Sequence, residues 1–129
     1  VTNLTNRKRI LSLDFDGVCH SYTSGWRGAD VIPDPPVPGM WEFLEKATEM
    51  FEVNIFSSRT HQEGGLDAMK DWFYLWAEGD YPHIVDKLVF PDEKPPAFVG
   101  IDDRVITFTG KWPSMESLDK FQTWAKKDV

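Results

Sequence analysis

The chain of 129 residues is 41% hydrophobic and 27% charged, the balance of one soluble globular domain with a core large enough to stand without disulfides. Its formal charge of −7 disfavours nonspecific nucleic-acid binding and suits a protein that gathers carboxylates around a divalent cation. The single cysteine, Cys19, excludes an internal disulfide and a cysteine-built zinc site, and no apolar run nears the roughly 20 residues that a bilayer span needs. With no signal-peptide pattern, the expectation is a cytoplasmic protein without a membrane partner, monomeric or weakly dimeric. Residues 1–9 are polar and are expected to fray.

The first apolar run, Ile10, Leu11, Ser12 and Leu13, reads as a buried strand that ends in Asp14-Phe15-Asp16-Gly17. In extended backbone, residues i and i+2 share a face, so Asp14 and Asp16 aim at one point beyond the strand tip. Two anions that close repel, unless a cation sits between them or one carboxyl is protonated and works as an acid. The plainer reading is a pair of acidic turn formers. Residues 18–38 carry no helical periodicity and four prolines, a long loop of the kind that often serves function, here read as a flap over the strand tip.

Met40, Phe43, Leu44, Ala47 and Phe51 then follow helical spacing. Residues 53–56 read as a second buried strand, ending at Ser57, Ser58 and Arg59. Thr60 and Glu63 fit a capping box for a second helix, with Leu66, Met69, Phe73 and Trp76 on one stripe. Residues 87–90 form a third short run, and 91–96 a loop holding Lys94. Residues 97–101 form a fourth run, ending in Asp102-Asp103-Arg104, and 105–108 a fifth. Pro113 and Ser114 open a last helix carrying Met115, Leu118, Phe121 and Ala125. Strands alternating with helices predict an α/β domain with a mainly parallel sheet covered by helices on both faces. Ligands of such sheets bind at the carboxyl ends of the strands, where this chain places Asp14, Asp16, Ser57, Arg59, Asp102 and Asp103.

A phosphate monoester at that rim needs a nucleophile, a proton donor for the leaving oxygen, and positive charge for the phosphoryl oxygens. Asp14 can attack phosphorus, and Asp16 can exchange the proton. Ser57, with Ser58 and Arg59 beside it, can hold phosphate oxygens, and Lys94 supplies a point charge, with Lys87 as its competitor. Asp102 or Asp103 can hold Mg²⁺ together with Asp14. His20 could reach a substrate from the flap or be a satisfied loop histidine. Arg59 and Arg104 could take a second anionic group or pair with local carboxylates.

This ordered set, Asp14-Phe15-Asp16-Gly17-Val18, Ser57 after a strand, Lys94, and Ile101-Asp102-Asp103-Arg104, resembles the haloacid dehalogenase superfamily. The resemblance spans residues 14–104. It implies a three-layer α/β/α Rossmannoid fold and a single domain over residues 1–129, of minimal, capless type like small phage and bacterial hydrolases. It further implies Asp14 as nucleophile, Asp16 as general acid/base with its backbone carbonyl on the metal, Ser57 and Lys94 on phosphate, and the Asp102–Asp103 pair completing a Mg²⁺ site. Aspartate at position 16 points to the phosphatase branch. The expected substrate is a nucleotide or another small phosphorylated metabolite. A polynucleotide end is the alternative, and a receiver-like or non-catalytic phospho-ligand module the competing class.

Overall fold

The computed structural model describes residues 7–124. A three-stranded parallel sheet lies at its centre, in the order β2-β1-β3, with β1 at Arg9–Leu13, β2 at Phe51–Ile55 and β3 at Val99–Ile101. Leu11 stands opposite Val53 and Val99, and Leu13 opposite Ile55 and Ile101. The run at 87–90 adds one parallel bridge outside β2, between Asn54 and Val89, instead of a full strand. Among the described residues four helices accompany the sheet: α1 at Met40–Met50, α2 at Gly65–Trp76, α3 at Pro82–Val85 and α4 at Met115–Asp119. None is long and apolar enough to cross a membrane.

The strands alternate, and that decides where the helices go. Leu11, Leu13, Val53 and Ile55 face one side and are buried with Leu44 of α1, Met69, Trp72 and Phe73 of α2, and Ile84 of α3 in one cluster. The connections from β1 to β2 and from β2 to Val89 step the same way across the sheet. Right-handed crossovers then lay α1 to α3 on the same face. Ile10, Ser12 and Asn54 line the other side, which residues 91–96 cross as a loop. The expected helical cover of both faces is therefore seen on one face among the described residues. Ser12 and Asn54 put polar side chains on that face, whereas sheets covered on both sides carry unbroken apolar runs.

Two further expectations fail at the C-terminal end. The run 105–108 forms no strand, and Val105, Ile106 and Phe108 are exposed. The last helix starts as expected at Ser114, whose side chain takes the Ser117 N–H, but it buries no residue. Ala125, assigned to its apolar stripe, lies outside the described residues. Trp76, assigned to the α2 stripe, is exposed, and Trp72 fills the core position. The Thr60–Glu63 capping box does not form either. Ser57 caps a 3-10 turn at Ser58–His61, α2 begins after Gly64 at φ +76, and the Thr60 hydroxyl is buried without a partner. A side chain at Gly65 would sit 2.0 Å from the Arg59 carbonyl, so the two glycines let the turn press against the helix start.

Candidate active site

The chain leaves β2 toward one edge of the sheet and returns on the far side of β1 as β3. That makes the gap between β1 and β3 a point where strand order reverses, the usual ligand crevice of such sheets. Asp14 leaves the end of β1, with its N–H on the Ile101 carbonyl, and Asp102 and Asp103 leave the end of β3. One carboxylate oxygen from each of Asp14, Asp102 and Asp103 lies within 4.8 Å of the others. Sequence positions almost ninety residues apart thus converge as the strand-tip argument requires.

The electrostatics of this triad are uncompensated. Burial first, then the charges of Asp102 and Asp103, push the Asp14 pKa up to about 7, against the pull of the Phe15 N–H on its Oδ1 at 2.9 Å. One Asp102 oxygen takes the Arg104 N–H. Asp103 Oδ1 is buried without any hydrogen-bond partner. Among the described residues no lysine, arginine or histidine forms an ion pair with any of the three. A buried carboxyl oxygen without a partner is costly. A hard divalent cation that takes carboxylate oxygens fits this donor set.

Asp16 belongs to a different cluster. Arg59 grips it with two bonds, Nε to Oδ2 at 2.9 Å and Nη2 to Oδ1 at 3.1 Å. His20 Nδ1 lies 2.8 Å from Asp16 Oδ1, while its Nε2 accepts the Asp34 N–H at 3.1 Å, so the ring proton sits on Nδ1 and is donated to Asp16. Burial works to raise the Asp16 pKa, but the hydrogen bonds from His20 and Arg59 and the Arg59 charge outweigh it and hold the carboxyl below its usual range. An ionised, doubly held carboxylate has no proton to give. The expected role of Asp16 as proton donor to the leaving alcohol therefore does not fit this arrangement.

The same geometry removes His20 and Arg59 from substrate contact. Both are fully buried, and both nitrogens of His20 are in use. Arg59 spends Nη1 on the carbonyls of Gly28 and Ala29, each at 2.8 Å, and on that of Val31. Its guanidinium also stacks 4.6 Å from the Trp26 ring centre. Arg59 thereby clasps the 18–38 loop to the tip of β1. Trp72 and Ser24 fix the same loop at Asp34. Ser57 is buried with its Oγ on the Arg59 N–H, and Ser58 is exposed. Burial pushes the Cys19 thiol up, which leaves it an unreactive core residue.

Lys94 lines a cleft of about 750 Å³ together with Asp14, Asp102, Ser12 and Phe56. Lys87 lines a separate hollow with Arg7, Lys8, Thr48 and Phe51, at the amino ends of the strands. Of the two lysines, Lys94 is thus the one that shares a cleft with Asp14 and Asp102. Trp124 donates its Nε1 proton to the Gly17 carbonyl at 2.8 Å. Gly17 itself has φ +85, and a Cβ there would lie 2.2 Å from Asp103 Oδ2. Gly17→Ala is expected to cost about 1–3 kcal/mol through backbone strain and to displace Asp103. Thermal melts of that variant should show a lower Tm and a smaller rise on adding Mg²⁺. Comparison with family models, with curated proteins and with solved structures finds no match to the chain.

Proposed function

We propose that this protein is a Mg²⁺-dependent phosphomonoesterase of the haloacid dehalogenase type, capless and cytoplasmic. The observation that carries the reading is the convergence of Asp14, Asp102 and Asp103 around a buried, unpartnered carboxylate oxygen at the strand-order reversal, with Lys94 in the same cleft. Asp14, Asp102 and Asp103 would hold Mg²⁺, whose charge would let an anionic nucleophile approach an anionic phosphate. By the resemblance, the backbone carbonyl of Asp16 would be a further ligand.

In this reading Asp14 Oδ forms the bond to phosphorus as the bond to the leaving oxygen breaks. Lys94 offsets the charge on the phosphoryl oxygens. The departing oxygen takes its proton from water, since Asp16 is ionised in this arrangement. A second water then attacks phosphorus, and Asp16, an acceptor held in place by Arg59 and His20, takes its proton. Phosphate leaves, Asp14 is restored, and the proton on Asp16 passes to the hydroxide left by the first water. The substrate is a small phosphorylated metabolite such as a nucleotide; the cleft volume of about 750 Å³ accommodates one.

The test is a screen of phosphate monoesters with 5 mM-scale Mg²⁺ against the same screen in excess chelator, with roughly millimolar metal chosen to saturate a weak carboxylate site. Metal-dependent phosphate release is expected. The Tm should rise with Mg²⁺ by linkage, corresponding to about 2.7 kcal/mol at a hundredfold excess over Kd. A Tm unmoved by Mg²⁺, with no phosphate released from any compound, overturns the reading.

A further inference from the structure

The cleft does more than expose Asp14. Its floor follows from the strand register, in which Ser12 stands opposite Gly100. These are two small residues side by side, one on each strand that carries the carboxylates. Asp14 lies two positions beyond Ser12, and Asp102 two beyond Gly100, so the acids and the small pair share one face of the sheet. The result is a trough that starts at the carboxylates and runs back along the sheet. Phe56 and Lys94 line it, with Val105 and Thr107, and Phe98 lines it as well. Phe98 stands four residues before Asp102, about 13 Å back along an extended strand.

Phe98 is prepared for a flat partner. The residue is 59% exposed although it borders a cleft. The Arg9 guanidinium lies 3.9 Å from the ring centre and covers one face of it. Arg9 does not line the cleft, which leaves the other face of the ring for an occupant. An occupant that reaches from Asp14 and Lys94 across Ser12 and Gly100 would meet that ring.

We propose that Phe98 is a specificity-determining residue, and that the trough selects phosphate monoesters whose leaving alcohol carries a planar ring system, as a nucleoside monophosphate does. This rests on the phosphatase reading above and adds the substrate class to it. Stacking of a base on an aromatic side chain strengthens binding by roughly fivefold to more than a hundredfold. Gly100 sets the depth of the trough. A Cβ there would meet Ser12 at 3.6 Å and beyond, ordinary contact, so the strand tolerates a side chain that the trough does not.

The experiment compares kcat/KM for adenosine 5′-monophosphate and ribose 5-phosphate, which share the phosphorylated oxygen and differ by the base. The wild-type protein is expected to prefer the nucleotide by about tenfold or more. Phe98→Leu and Gly100→Val should each bring the ratio to within about twofold, the first by removing the stack and the second by filling the trough. Reading the ratio cancels any general loss of activity, and melting curves show that each variant is folded. Equal kcat/KM for both substrates in the wild type overturns this inference and leaves the phosphatase reading standing. So does a preference that both variants keep. Failure to hydrolyse either compound, or any other monoester, with Mg²⁺ present overturns both.

Discussion

Asp14→Asn is expected to lower kcat for phosphate release by at least about a thousandfold and, in the metal-free protein at pH 8, to raise Tm by several degrees. The two effects have opposite signs, which separates loss of a nucleophile from loss of the fold. Asparagine keeps the shape and can still accept the Phe15 N–H, but it forms no acyl phosphate. The stability change follows from the raised pKa. In the unfolded chain the Asp14 carboxyl ionises near 3.8, and in the fold near 7. Below the lower value both states are protonated and Asp14 contributes nothing. Between the two values the folded state keeps a proton that the unfolded state has lost, so stability falls as pH rises, and above about 7 the whole cost is present. After allowance for solvent screening of a part-exposed group, that cost is about 1–3 kcal/mol.

The stabilisation by Asp14→Asn should therefore be lost as pH falls through about 3.8 and be full at about pH 8, as read from melting curves in chelator. In Mg²⁺ the order should reverse, because the wild type gains a cation that the variant holds poorly. Mass spectrometry of acid-quenched wild-type turnover should find phosphate on the peptide that contains Asp14. A variant that retains a tenth of wild-type activity would exclude Asp14 as the nucleophile.

The carboxylate triad was legible in the sequence because two simple rules place it. Apolar runs that stop at acids put those acids at strand tips, and parallel strands put their tips on one rim. Those rules hold whatever the side chains later touch. They do not reveal partners that depend on a loop path, and Asp16 shows the consequence. Its spacing from Asp14 invites a shared metal, yet the chain turns at Gly17, and Arg59, 43 positions on, claims both of its oxygens. The sequence offers Arg59 as a phosphate ligand because it follows a strand tip. Only the path of residues 28–31, whose carbonyls converge on Nη1, shows that its donors are spent.

The failed elements have a shared cause. Residues 105–108 are apolar enough for a strand, but no neighbouring strand stands beside them among the described residues, and β propensity is realised through pairing. Thr60 and Glu63 have capping-box spacing, but Gly64 and Gly65 allow a tighter entry to α2 that bypasses it. The trough had one readable trace, Ser12 inside an apolar run and Gly100 inside another. Knowing that they face each other requires the register.

The largest loss of stability is expected from Arg59→Met, about 3–5 kcal/mol, because removing one partner strands the rest of a buried charge network. The guanidinium is fully buried and leaves behind the Asp16 carboxylate and the carbonyls of Gly28, Ala29 and Val31. Arg59→Lys keeps the charge but cannot span a carboxylate and a set of carbonyls with one ammonium, so it should recover only part of the loss. The double variant Asp16→Asn with Arg59→Met should be more stable than Arg59→Met alone, since it removes the orphaned charge. The pH dependence has a definite sign. The Asp16 pKa is depressed in the fold, so its contribution is present above about 3.8, the unfolded value, and is lost as pH falls through the lower folded value. Denaturant titrations should show wild type and Arg59→Met well separated at pH 7 and converging at strongly acidic pH. Hydrogen exchange should locate the damage in residues 24–34 before the sheet. If those amides stay protected in Arg59→Met, the loop is held by Trp72 and Ser24 at Asp34, and Arg59 is not its clasp.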